Sequence, residues 1–134
     1  MEKTNIKVEF RMLGENFNPE LISDRLNLKP DEKWEKGEII KNKDIRRKYS
    51  CWIISTGYEE SLDVNNQLEQ ILGLIYDKKA ILQEISKQFG LDYRFDVIIN
   101  IEANEKPAIY LSKDVIGFAN DINAEFDIDL FINS

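Results

Sequence analysis

Ile6-Lys7-Val8-Glu9-Phe10-Arg11-Met12 decides the fold: apolar and charged side chains alternate through seven residues. Successive side chains of a strand point to opposite faces, so a period of two marks a strand with one buried face. Gly14 breaks the pattern. Tyr93, Phe95, Val97, Ile99 and Ile101 repeat it against Arg94, Asp96, Ile98, Asn100 and Glu102. A third copy closes the chain, with Phe126, Ile128, Leu130 and Ile132 set against Glu125, Asp127, Asp129 and Phe131. Strands of this kind predict one sheet covered by helices on a single face.

Between the strands the helical signals are equally local. Asn18 is placed as an N-cap with Pro19 at the first helical position, predicting a short helix to about Asn27 with Leu21, Ile22 and Leu26 as its stripe. Leu62, Leu68, Ile71, Leu72 and Ile75, then Ile81, Ile85 and Phe89, predict two helices broken near Asp77, or one bent helix, stopped by Gly90. Ser112 is a candidate N-cap for a helix carrying Val115, Ile116 and Ala119. Ser50–Thr56 reads as a strand buried on both faces at its centre, and Ala108–Leu111 as a short return strand after turn chemistry at residues 104–107. Residues 29–49 resist assignment, with Glu38-Ile39-Ile40 as a candidate edge strand. The expectation is an α+β fold: a mostly antiparallel sheet with helices on one face, ferredoxin-like or a pseudo-duplicated βαβ arrangement.

A length of 134 residues, 43% hydrophobic and 32% charged, fits a single domain spanning 1–134. The lone Cys51 rules out an intramolecular disulfide, which fits a reducing compartment. Residues 1–5 show no apolar h-region, and no apolar run approaches the ~20 residues needed to cross a bilayer. A cytoplasmic, membrane-free protein is expected.

The net charge of −7 disfavours binding to nucleic-acid backbones. Charge is unevenly spread: Lys29–Lys48 holds eight basic and five acidic residues, leaving ten basic and twenty acidic elsewhere. The absence of histidine removes Ser-His-Asp and Cys-His catalysis and, with one cysteine, the common zinc sites. Neither G-x-G-x-x-G nor G-x-x-x-x-G-K-[ST] occurs, so the familiar dinucleotide and phosphate cradles are missing. Carboxylate, Lys or Tyr acid–base chemistry is what stays open. No metal and no cofactor is expected.

Three groups of residues qualify as contact sites. Trp34, with Lys36, Gly37 and Glu38, reads either as a stacking platform beside cations or as an aromatic that packs down and pins a long loop. Arg46 and Arg47, with Lys48, Lys41 and Lys43, read as an anion or partner site, or as a solvated charge run. Asp127 and Asp129, with Glu125, line one face of the last strand, which reads as a hold for a hard cation or a dock for a basic partner, or as a solvated face with edge charges that block aggregation. Cys51, next to Trp52 in an apolar strand, reads as a small core residue.

The opening alternation with Gly14, Phe17-Asn18-Pro19-Glu20-Leu21-Ile22, Leu28-Lys29-Pro30, Trp34-x-Lys36-Gly37-Glu38, Trp52-Ile53-Ile54, Ala108–Ser112 and Phe126–Leu130 together resemble one bacterial group. It is the family catalogued as domain of unknown function forty-two seventy-nine. The W-x-K-G-E segment is the most distinctive piece. The resemblance implies a small stand-alone bacterial protein and brings no catalytic residues. The functional expectation is a non-enzymatic binding or protein-interaction module with another protein as partner. The alternatives are a toxin-neutralising immunity protein, from size and acidity, and a small enzyme using carboxylate or Lys chemistry.

Overall fold

The computed structural model describes residues 2–133. Its elements follow in the order β1 (Asn5–Gly14), α1 (Pro19–Leu26), β2 (Glu32–Trp34), β3 (Ser50–Ser55), β4 (Glu59–Glu60) and α2 (Val64–Ile75). A 3-10 turn (Tyr76–Lys78) leads into α3 (Lys79–Phe89), then β5 (Asp92–Ile101), α4 (Lys113–Asp121) and β6 (Glu125–Ile132). The fold is α+β: one six-stranded, mostly antiparallel sheet with the helices packed on one face.

The sheet runs β2-β3-β1-β5-β6, with β4 pairing β1 beyond the end of β3. β1 and β5 are antiparallel through nine paired positions, Asn5↔Asn100 to Leu13↔Asp92. β3 lies antiparallel on the other side of β1, whereas β6 joins β5 in parallel. Thr56 continues the β3 edge toward β4: its N–H donates to the Val8 carbonyl at 3.0 Å, and its hydroxyl accepts the Val8 N–H at 3.1 Å. The two ends of the chain differ in pairing: β3, which joins β1 after α1 and β2, is antiparallel to it, whereas β6, which joins β5 after α4, is parallel to it.

This register puts Ile6, Val8, Phe10 and Met12 opposite Ile99, Val97, Phe95 and Tyr93 on the helix-covered face. Phe10 sits at the centre, its ring 4.9 Å from Phe95 and 5.5 Å from Tyr93. α1 adds Pro19, Ile22 and Leu26, α2 adds Leu68, Ile71 and Ile75, α3 adds Leu82 and Ile85, and α4 adds Val115 and Phe118. Two side chains tie helices to strands: the Trp52 indole donates to Ser23 Oγ at 3.0 Å, and the Tyr93 hydroxyl donates to the Leu82 carbonyl at 2.6 Å.

The caps fall where the residue types place them. Asn18 accepts the Glu20 N–H at 3.0 Å, and Ser112 accepts the Val115 N–H at 3.3 Å. Gly90 ends α3 with φ of 65°, a conformation that glycine adopts without a Cβ penalty. Among the described residues, no helix is long and apolar enough to cross a membrane.

Five local expectations are corrected. Leu21 and Ile116 are exposed, because α1 and α4 are short and bury only Pro19, Ile22 and Leu26 in the first and Val115, Phe118 and Ala119 in the second. Leu62 precedes α2 and is likewise exposed. Ala108–Leu111 forms no strand: Ala108 alone bridges Asp63, since Pro107 has no N–H to extend the ladder and the Ser112 N–H is taken by Asn65 Oδ1. Glu38–Ile40 contributes only the bridge Ile39↔Arg46, and the edge strand of this region is β2, at Glu32–Trp34.

Truncating Phe10 to Ala removes a ring at the meeting point of β1 and β5, and a cost of about 3–5 kcal/mol is expected. Urea unfolding of Phe10→Ala measures it; a loss under about 1 kcal/mol would place the core's centre elsewhere.

Candidate interaction surfaces at the two sheet edges

The first surface starts from Trp34. It ends β2 and is only 7% exposed, packed with Cys51, Ile53 and Leu13 on the sheet face opposite the helices. The guanidinium of Arg47 lies 3.8 Å from the centroid of its ring, and the Tyr49 ring lies 6.4 Å away. The stacking face of the indole is thus occupied by the chain's own cation. Residues 35–49 form an irregular hairpin held by this contact. The Gly37 N–H donates to the Arg47 carbonyl at 2.9 Å, the Arg47 N–H to the Glu38 carbonyl at 2.7 Å, and the Ile40 N–H to the Ile45 carbonyl at 2.9 Å. The Lys36 N–H donates to Ser50 Oγ at 3.0 Å, and Arg46 Nη1 to the Gly37 carbonyl at 2.8 Å. The Glu38 carboxylate accepts the Glu35 N–H, and Gly37 takes φ of 93° to make the turn.

Trp34, Lys36, Glu38, Arg46 and Arg47 are therefore brought together, with Trp34 as the anchor below and Lys36, Glu38 and Arg46 exposed above. Two residues that charge patterning does not single out join them: Ile39 and Ile45 are 63% and 54% exposed on the same hairpin. The hollow beside Trp34, shared with Glu20, Lys33, Glu35 and Glu38, measures about 130 Å³. A larger groove of about 510 Å³ runs between Tyr49 of the hairpin and Leu13, Glu15, Asp92 and Arg94.

Across the middle of the uncovered face, β1 and β5 place like charges opposite each other: Glu9 faces Asp96, and Arg11 faces Arg94. The conflict is resolved by one diagonal contact between the strands and by contacts two residues apart along each. Arg11 Nε reaches Asp96 at 2.9 Å, its Nη2 reaches Glu9 at 3.1 Å, and Arg94 grips Asp96 through two bonds of 2.6 and 3.2 Å. Lys7 adds a contact of 3.7 Å to Glu9. The centre of this face is thus a neutralised network, and its carboxylates are buried. Burial penalises the Arg11 charge, but the hydrogen bond and charge of Glu9 hold its pKa above the ordinary value. The hydrogen bond to Asp96 raises that of Arg94.

The second surface is β6. Glu125, Asp127 and Asp129 share the uncovered face, and the strand lies directly beside the one carrying Asp96. Its outer edge pairs with no other strand among the described residues. On the helix side Phe126 stacks on Phe95 at 5.2 Å, but beyond it Ile128, Leu130 and Ile132 are uncovered, the last two 50% and 73% exposed. Alternation alone names the apolar face of a strand; it carries no signal for whether a helix is long enough to cover it. Among the described residues, no three His, Cys, Asp or Glu side chains gather as metal ligands would.

The sequence profile of a domain of unknown function (DUF4279) matches residues 3–133, a span that takes in both edges. The chain belongs to that family. No curated protein and no solved structure matches the chain.

Burial pushes the Cys51 thiol from its ordinary 9.0 up to about 11, against the lowering influence of Arg11. Burial also raises the Tyr93 hydroxyl above its ordinary 10.0. Both groups keep a proton in the folded state that the unfolded chain releases, so stability falls as pH rises from about 9 to about 11. Urea midpoints should be level below that window and drop within it. Ellman's reagent at about pH 8 should find no reactive thiol until denaturant is added; rapid reaction of the folded protein would show Cys51 to be accessible.

Proposed function

We propose that this protein is a non-enzymatic interaction module that captures an extended, basic segment of a partner protein along the outer edge of β6. The observation that carries the reading is the edge itself: an eight-residue strand whose outward backbone groups pair with no other strand among the described residues, exposed Ile128, Leu130 and Ile132 on one face, and Glu125, Asp127 and Asp129 on the other. An incoming strand would gain main-chain hydrogen bonds from the edge and specificity from the alternating side chains. Edge strands normally carry charges or Pro that turn other strands away. Here the charges are all of one sign, so they repel acidic strands and attract cationic ones.

One further point supports binding over catalysis. The two side chains with the largest upward pKa shifts, Cys51 and Tyr93, are buried where no substrate reaches them. Toxin neutralisation is a special case of this reading, in which the basic partner is a toxin.

Short peptides alternating Leu with Lys, or Leu with Glu, serve as probes of this edge in an amide chemical-shift titration. The Lys peptide should shift the β6 amides and the Glu peptide should not. Replacing Asp127 and Asp129 together by Lys should weaken the Lys peptide at least tenfold, about 1.4 kcal/mol. Equal binding by that variant, or shifts centred away from β6, would defeat the reading.

A further inference from the structure

The hairpin of residues 35–49 carries the complement of β6. From Lys36 to Lys48 stand six cations (Lys36, Lys41, Lys43, Arg46, Arg47 and Lys48) and two carboxylates, Glu38 and Asp44. From Glu125 to Ile132 stand three carboxylates and no cation. Each segment also exposes apolar side chains beside its charges, Ile39 and Ile45 on the hairpin and Ile128, Leu130 and Ile132 on the strand. Among the described residues, Lys41, Lys43 and Lys48 form no ion pair, nor do Glu125, Asp127 and Asp129.

The hairpin springs from the β2–β3 side and β6 is the opposite edge of the same sheet. Four inter-strand spacings of about 4.8 Å put roughly 19 Å of sheet between them. We propose that the occupant of the β6 edge is a second copy of this chain, docked through its basic hairpin. The proposal rests on the reading of β6 as a docking edge and names its partner. Pairing of two β6 edges with each other is the poorer solution. An antiparallel pairing centred on Ile128 sets Asp127 against Asp129 twice, like charge against like. Hairpin on strand instead joins opposite charges and covers both sets of exposed apolar side chains. Each copy offers one hairpin and one edge, so two copies can satisfy both, and contacts that do not close would extend into longer assemblies.

Sedimentation equilibrium of the whole chain decides it. At low salt (about 20 mM) a species heavier than the 15.7 kDa monomer is expected. Its affinity should weaken at least tenfold at about 500 mM salt. A hairpin variant, Lys41→Glu with Lys43→Glu, and an edge variant, Asp127→Lys with Asp129→Lys, change exposed side chains only. Each should be monomeric alone with an unchanged circular dichroism spectrum. Mixing the two brings the unaltered hairpin of the edge variant to the unaltered edge of the hairpin variant, one wild-type contact, so the mixture should associate again. A wild-type chain that stays monomeric at low salt to about 100 µM overturns the proposal, as does a mixture that fails to reassociate or a variant that associates like the wild type. If the Leu–Lys peptide still binds β6 in that event, the docking edge stands without self-association; if it does not, both readings fall.

Discussion

The antiparallel pairing of β1 with β5 is the constraint on which the rest depends. Nine residues of each strand are locked in one register, and a slip of a single residue would send Phe10, Val8 and Phe95 to the uncovered face. The same register forces Glu9 against Asp96 and Arg11 against Arg94. Like charges directly opposite are unfavourable, but rows of opposite sign two residues apart let Arg11 reach diagonally to Asp96 while Arg94 bonds Asp96 along its own strand. Removing Arg11 would leave the buried Glu9 carboxylate with only the 3.7 Å contact to Lys7, and a buried charge so poorly paired is costly. The charged face thus reinforces the register that the apolar face demands.

From this centre the sheet grows outward unequally. On the β1 side, β3 is buried on both faces, by the helices below and by Trp34, Leu13 and Arg11 above. That second, small cluster gives the hairpin something to stand on: Trp34 is sunk into the sheet, and Arg47 covers it from the loop. The loop is therefore long and charged yet tied to the fold at its base. On the β5 side there is no equivalent. α4 has nine residues and β6 has eight, which correspond to about 13 Å of helix against about 26 Å of strand. A helix of that length shields Phe126 and leaves the remainder of the strand open.

Legibility in the sequence follows the same division. β1, β5 and β6 declare themselves because alternation over seven or more residues has one structural meaning, and the Asn18, Ser112 and Gly90 caps because each makes a contact or conformation within a few residues of itself. The break near Asp77 appears as the 3-10 turn at Tyr76–Lys78. β2 and β4, three and two residues long, are too short to show a period; they exist because β3 and β1 offer them partners. Ala108–Leu111 has strand-like composition, yet a proline on one side and a cap on the other leave room for a single bridge. In the hairpin the charges could be read but their arrangement could not, since the Arg47–Trp34 contact joins residues on its two arms. The exposure of Ile128, Leu130 and Ile132 was illegible for a different reason, as it is set by the length of a helix the strand does not contain.

The two edges are thus products of one asymmetry, not independent decorations. Burial of β3 on both faces requires an aromatic lid, and the lid requires a loop long enough to turn back over it, which places a protruding cationic hairpin at that edge. Closure of the other side by a short parallel unit leaves an uncovered strand whose solubility depends on carboxylates. Protection by charge of one sign is selective. It excludes acidic strands, including its own twin, while lowering the cost of approach for a cationic surface. A sheet with an acidic apolar edge and a cationic apolar edge at opposite ends therefore carries its own complement.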